Sequence, residues 1–392
     1  MSMSPLEISI WPKQVHYGVG GTDLLADIVR RLGGSRALVL CGKTVAGGPM
    51  LQMVRKGLGD VLVGVFDKVE GHTPIPLVKE AAQMAKDLRA DVVVSVGGGS
   101  AIDCGKGVCI LTATEGDLTP FQVRKDANDK AERAALPKTI LHIAVPTTAG
   151  SASDVMPSAG LRDPVAKTKN LFWDDELIPH ATILDPRMAI YTGPVLTAAT
   201  GMTVVARCVE ALYSKNRHPL STGLALHGLR LMRRALPILV KDPENLAARG
   251  DTQIACVMSG IAAINAMVSI VHSVGHVVGG KFALQHGLSH SILLAPAMRL
   301  LLPTMGEEQK LVCDAMGGDS RGLTADQAGE EAARQMEILM SELPLKPRLR
   351  DLGLAEEELP GLAAYAAKDY MMVNIPIPLD APKIEAFIRS VW

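Results

Sequence analysis

From residue 37 to about residue 186, strand-length apolar runs alternate with helical patterns, and that alternation leaves few folds open. Ala37-Leu-Val-Leu-Cys41, Val61-Leu-Val-Gly-Val65 and Asp91-Val-Val-Val-Ser-Val96 are the first three runs. Helical spacing covers Asp23 to Leu32, Met50 to Leu58 and Pro76 to Leu88. Thr139 to Val145 and Ala181 to Leu184 predict two more strands, and Asp185-Pro186 a turn. Strands that alternate with helices build a parallel sheet covered on both faces. Beyond residue 186 the strand signal fades. Leu196 to Tyr213, Leu220 to Lys241, Pro243 to His272, Ser289 to Leu302, Thr324 to Leu343 and Glu356 to Met372 all carry helical spacing. The expectation is an α/β domain over residues 1–186 and an all-helical domain over 187–392, with Arg124 to Arg133 as a polar loop.

Composition narrows the function. Net charge is −1 and aromatic residues are 3% of 392, so neither a basic patch nor a base-stacking surface is expected, and nucleic acid is not a partner. Met1-Ser-Met-Ser-Pro-Leu-Glu7 has no basic segment leading into an apolar one, so no leader sequence is read. No uninterrupted apolar run reaches membrane-spanning length. The six cysteines are scattered without a CxxC pair, which fits buried thiols in a reducing cytoplasm.

Four motifs carry chemistry. Gly97-Gly98-Gly99-Ser100-Ala-Ile-Asp103 follows a strand and opens a helix, a place where backbone N–H groups and the helix dipole favour a pyrophosphate. The alternative reading of the glycines is a tight strand–helix turn. Pro146-Thr147-Thr148-Ala-Gly-Ser-Ala-Ser153 follows another strand and offers hydroxyls to phosphate or ribose. On the helix Gly201 to Glu210, Thr203 and Arg207 share a face. Arg207 amid Val, Ala and Cys is costly unless paired, with Glu210 one available partner. Finally His272 and His276 lie at i,i+4 beside glycines, and His286-Gly287 follows; imidazoles so spaced suit metal binding or proton transfer. His227 and His290 receive no role.

Together these residues resemble the iron-containing, or group III, alcohol dehydrogenase family, which shares its fold with dehydroquinate synthase. The resemblance runs along nearly the whole chain. It rests on Ala37-Leu-Val-Leu-Cys-Gly42-Lys43-Thr, Gly97-Gly-Gly-Ser-Ala-Ile-Asp103, Pro146-Thr-Thr-Ala-Gly-Ser, Asp185-Pro186, Ala199-Thr-Gly-Met202, His272-x3-His276 and Gln285-His286-Gly287. It implies a Rossmann-like dinucleotide-binding domain, a helical domain and an active site in the cleft between them. Gly97, Gly98, Gly99 and Ser100 then match the pyrophosphate loop, and Thr147 and Thr148 the second cofactor loop. Asp103 and Lys169 match positions on the nicotinamide side. Two of the family's metal-binding histidines match His272 and His286, but its aspartate position is Thr203 and its third histidine position is Arg207. His276 matches a histidine beside nicotinamide and substrate.

A hydroxyl and a permanent cation are poor replacements for two metal ligands, so no tightly bound iron or zinc is expected. His72-Thr73-Pro74, Val209 to Ser214 and Leu349-Arg-Asp-Leu-Gly lean toward the maleylacetate reductase-like branch, which works without metal. That branch's Asn-Pro-Arg is here Asn374-Ile-Pro-Ile, without the arginine. The expected activity is NAD(P)-dependent hydride transfer to or from a small carbonyl compound or alcohol. His276 or His272 would donate the proton, Arg207 would polarise the carbonyl or hold a carboxylate, and His286 completes the catalytic set. Glycine at position 42, where an aspartate would select NAD, together with Lys43, predicts that NADP is accepted. A homodimer or larger homo-oligomer is expected. The alternatives are a metal enzyme using His272, His276 and His286, a silent nucleotide-binding protein, and a dehydroquinate-synthase-like lyase.

Overall fold

The computed structural model describes residues 13–392 apart from 115, 126–130, 167 and 283. The segment read for a leader, Met1 to Glu7, lies outside the described residues. The chain divides into two compact units, one ending at Tyr191 and the next starting at Thr192; the sequence reading puts that boundary at 186/187.

The N-terminal unit is built on a six-stranded parallel sheet. Its strands are β1 (Val15–Tyr17), β2 (Ala37–Cys41), β3 (Leu62–Phe66), β4 (Val92–Gly97), β7 (Leu141–Pro146) and β10 (Ala181–Leu184), in the order β1-β10-β7-β4-β2-β3. Helices α1 (Leu25–Arg31), α2 (Lys43–Ala46), α3 (Pro49–Leu58), α4 (Ile75–Asp87), α5 (Gly99–Ala113) and α6 (Pro186–Ala189) connect or flank them. The apolar runs read as buried strands for a visible reason. Val92, Val94 and Val96 join Leu25, Ile28 and Val54 in a core on one face, while Val93 joins Val78, Ala81 and Val108 in a core on the other. The register pairs Cys41 with Val96 and Gly97 with Pro146, so the segments that leave β2, β4 and β7 emerge side by side at the carboxyl edge of the sheet. In open parallel sheets that edge is where ligands bind.

The sheet strand β1 has no counterpart among the expected strands, and two further elements differ from the expectation. The polar loop at 124–133 is a short antiparallel pair, β5 (Arg124–Lys125) with β6 (Ala131–Glu132), its middle outside the described residues. A hairpin, β8 (Ser158–Asp163) with β9 (Thr168–Trp173), was not expected at all. Asp185 does more than turn the chain: its carboxylate caps α6 at Arg187 N and accepts from Thr22 Oγ1 at 2.8 Å.

The C-terminal unit is helical: α7 (Pro194–Tyr213), α8 (Pro219–Lys241), α9 (Leu246–Ala266), α10 (Ile270–Phe282), α11 (His286–Leu301), α12 (Glu308–Ala315), α13 (Ala325–Ser341), α14 (Leu359–Ala366) and α15 (Ala381–Ser390). α7 is long and apolar enough to cross a membrane by length and composition, but 78% of its apolar window is buried inside the protein, as in a core helix. Fully buried Arg249 donates to Pro243 O, Thr197 Oγ1 and Thr192 O, joining the start of α9 to the start of α7.

The single helix expected from Pro243 to His272 is instead two, α9 and α10, with axes 107° apart. Met267 between them takes φ 65°, ψ 161°, a conformation that strains any residue but glycine. The bend is held from elsewhere. Glu210 Oε1 accepts from Ser269 N at 3.1 Å and Val271 N at 2.7 Å, and Asn374 Nδ2 donates to Val268 O at 3.3 Å. The helix expected over Glu356 to Met372 is also shorter. It ends at Ala366, and Asp369 caps a separate 3-10 turn over Tyr370–Asn374.

Candidate functional site

In the N-terminal unit, α5 begins directly after β4. Its cap residue is Gly98, with no side chain capping the first amides. Gly97 has φ 149°, open to glycine and hardly to other residues. Thr147 N donates to Gly97 O at 2.9 Å. A Cβ on Gly98 would stand 3.1 Å from Thr148 Cγ2, and one on Gly99 3.0 Å from Ser151 Cβ. The glycine loop and the threonine loop thus close on each other, leaving backbone donors at a helix N-terminus between two strand ends. Ser100 ties in a third segment: its hydroxyl accepts from His72 N at 3.1 Å, and its carbonyl from Thr73 Oγ1 at 3.1 Å. His72 and Thr73 both have positive φ, a strain that such bonds must offset.

Asp103, one turn into α5, spends its carboxylate on the chain itself. It accepts from Ser153 Oγ and, at 3.1 Å, from Gly160 N. Gly160 lacks a Cβ because the aliphatic stem of Lys169, from the facing strand, lies over it. Asp103 and Lys169 therefore meet at the same hairpin, and Ser153 and Gly160 join the set unforeseen. Gly42 caps α2, with Lys43 exposed at its start. A Cβ on Gly42 would come 2.9 Å from Val69 O, so packing alone already requires glycine there. The idea that its missing side chain simply opens space for a phosphate needs that amendment.

In the C-terminal unit, α10 and α11 bring four imidazoles together. His272 and His290 have ring centroids 4.3 Å apart, His276 and His286 5.6 Å, His286 and His290 5.7 Å, and His272 and His276 6.4 Å. The neighbouring glycines make the cluster possible. A Cβ on Gly275 would collide with the His290 ring, and one on Gly279 would press on His286 at 3.1 Å. These glycines admit histidines rather than a ligand. Gly287 lies against α7 at Ala199 and Thr203, which seats His286 beside the helix of Arg207.

Two imidazoles are held by carboxylates. His272 Nδ1 is hydrogen-bonded to Glu210 Oε2, and His276 Nδ1 to Asp369 Oδ2 at 3.0 Å. His286 Nδ1 lies 3.3 Å from the Gly275 carbonyl. Burial, then the nearby charges of His276 and Arg207, push the His272 ring well below the ordinary imidazole range. The same causes act on His290, where burial again dominates. Burial pushes the Glu210 carboxyl up to about 7, against the backbone N–H bonds that favour its ionised form. Glu210, one available partner for Arg207, commits both oxygens to α10 and the residues before it. Arg207 itself is 4% exposed on α7, and Thr203 Oγ1 donates to Ala199 O, one turn back in its own helix, at 3.4 Å.

Among the described residues, no three His, Cys, Asp or Glu side chains converge as a metal-binding group. Thr203, whose hydroxyl is bonded within its own helix, and the buried guanidinium of Arg207 offer neither carboxylate nor imidazole on that face of α7. His290, left without a role in the sequence reading, sits fully buried against the rings of His272 and His286. Neither ring nitrogen has a hydrogen-bond partner among the described residues. Its i,i+4 spacing from His286 is the signal that could have found it.

Residues 12–186 match the profile of iron-containing alcohol dehydrogenases, and residues 197–392 match that of the Fe-containing alcohol dehydrogenase family, C-terminal. Similar proteins include 1,3-propanediol dehydrogenase of Klebsiella pneumoniae, 30% identical over 391 residues and covering 97% of each chain. Maleylacetate reductase of Sphingobium indicum is 29% identical over 355 residues, covering 91% of this chain and 89% of the relative. A crystal structure of 1,3-propanediol oxidoreductase superimposes with a TM-score of 0.92 at 29% identity, covering 99% of this chain and 100% of that one.

Proposed function

The chain belongs to the iron-containing alcohol dehydrogenase family, and we propose that it interconverts a small carbonyl compound and its alcohol without a catalytic metal. It is an NAD(P)-dependent oxidoreductase of that family. The observation that carries the metal-free reading is Arg207: a buried guanidinium, one helical turn from Thr203, occupies the face where two metal ligands would stand. A cation there repels a divalent ion and lowers the basicity of the imidazoles meant to bind it.

When bound, the nicotinamide cofactor supplies or accepts the hydride. The chain's own residues do the rest. Gly97, Gly98, Gly99 and Ser100 present amides at the start of α5 to the pyrophosphate, with Thr147 and Thr148 alongside. Asp103 and Lys169 set the nicotinamide side, and Gly42 and Lys43 the adenosine ribose. With no carboxylate at Gly42, NADP(H) and NAD(H) are both accepted. In reduction, with the bound cofactor supplying hydride to the carbonyl carbon, the oxygen would take a proton from Nε2 of doubly protonated His276, leaving the neutral ring with its hydrogen on Nδ1, where Asp369 holds it. Arg207 stabilises the negative charge developing on that oxygen. His272, held low by burial, walls the site as a neutral ring, with His286 beside it.

The test is metal analysis with chelation. Purified protein is expected to hold far less than one iron or zinc per chain and to keep its turnover of aldehydes with NADH or NADPH in EDTA. Stoichiometric metal, with activity lost to EDTA and restored by Fe²⁺ or Zn²⁺, overturns the reading and favours His272, His276 and His286 as ligands. Cofactor binding with no turnover across a panel of aldehydes, ketones and oxo acids would favour a silent binding protein.

A further inference from the structure

We infer that Asp369 is a positioning residue for proton transfer, fixing the tautomer and tilt of His276 from a separately anchored turn; this rests on the reading of His276 as proton donor. Three observations support it. First, Asp369 divides its carboxylate between two tasks. Oδ1 accepts from Met371 N at 2.9 Å, capping the turn Tyr370–Asn374, and Oδ2 accepts from His276 Nδ1 at 3.0 Å. The ring is thus held by an oxygen whose partner is fixed by the local backbone.

Second, both oxygens of the carboxyl are placed as acceptors. His276 Nδ1 and Met371 N each donate to one of its oxygens, an arrangement that favours the ionised carboxylate. An ionised carboxylate can only accept, so Nδ1 must carry hydrogen and Nε2 is left to exchange a proton with substrate.

Third, the turn is tied to α10 at a second point. Asn374 Nδ2 donates to Met371 O at 3.1 Å inside the turn and to Val268 O in the break before α10. Its Oδ1 accepts from Asn216 Nδ2 at 2.9 Å. The segment Asp369 to Asn374 thereby holds both the start and the middle of the helix that bears His276.

Asp369→Asn tests this in the full-length protein. The amide is isosteric and its oxygen can keep the Met371 cap, while its NH₂ must face His276 Nδ1 and demand an acceptor there. With ¹⁵N-histidine labelling, and His276→Gln to assign the signal, wild type is expected to show the Nδ1–H form and Asp369→Asn the Nε2–H form. With propanal and NADH, kcat is expected to fall roughly tenfold or more, with KM for NADH unchanged. An unchanged His276 tautomer in Asp369→Asn overturns the inference, even if activity falls. Should Asp369→Asn fold poorly, Asp369→Glu gives the same readout: a displaced carboxylate keeps the Nδ1–H form while lowering kcat, and an unaltered kcat counts against the inference. Full turnover by His276→Gln would instead overturn His276 as donor, whatever the tautomer.

Discussion

Gly287 meets Ala199 backbone to backbone: a Cβ on Gly287 would overlap the Ala199 carbonyl and stand 2.9 Å from Thr203 Oγ1. No side-chain rotation relieves such a clash, so α11 must move away from α7. Gly287→Ala is expected to cost about 3 kcal/mol, at the upper end for overpacking, and to lower turnover by displacing His286. Gly280→Ala is the control, because a Cβ there meets nothing within 4 Å and helix propensity favours alanine. Thermal melts of the two variants check this; equal melting temperatures would mean that α7 and α11 are not packed this tightly.

The Glu210 carboxyl makes stability depend on pH. Its value in the fold is about 7, above the ordinary 4.5, and burial is the main cause. A raised value stabilises fully below pH 4.5 and is lost as pH rises through 7. The advantage of wild type over Glu210→Gln in melting temperature is therefore expected to be largest near pH 5 and smallest near pH 8. An advantage that grows toward pH 8 would show that the buried carboxyl stays ionised.

At Gly42, packing and cofactor choice act together. Gly42→Asp places a carboxylate where it repels a 2′-phosphate, but its Cβ falls 2.9 Å from Val69 O. The variant is expected to lose about 1–3 kcal/mol of stability and to shift preference strongly toward NADH. Wild type should use NADPH at least as well as NADH. Side-by-side kcat/KM values decide this, and a wild type that uses NADH about a hundredfold better would contradict the role given to glycine.

Arg207→Lys keeps the buried charge and loses the planar fork. A drop of roughly tenfold or more in kcat/KM is expected, with a melting temperature within a few degrees of wild type. Wild-type kinetics in this variant would reduce Arg207 to a structural cation.

Some features of this molecule are legible in the sequence because they are local. The strand Val92–Gly97 announces itself as an unbroken apolar run, and the glycines after it mark the close approach of Thr148 and Ser151. The hairpin over Ser158–Trp173 is half exposed and weakly patterned, with Asp163-Pro164 as its one turn signal. The bend at Met267 has no glycine or proline to betray it, since the groups that hold it are Glu210 and Asn374, far away in sequence. Asp369 was invisible for the same reason: its partner His276 lies 93 residues earlier. Pairings across such distances leave no periodicity to read.

The bond from Val271 N to Glu210 has a consequence for how this unit assembles. The amide of Val271, in the first turn of α10, donates to a carboxylate 61 residues upstream. The helix that carries His272 and His276 can therefore gain its starting point only after α7 has docked, a loop closure of some size. In hydrogen–deuterium exchange, the amides of Ser269 and Val271 become reporters of that docking: they should open with α7 as one cooperative block, more slowly than the frayed first turn of an ordinary helix.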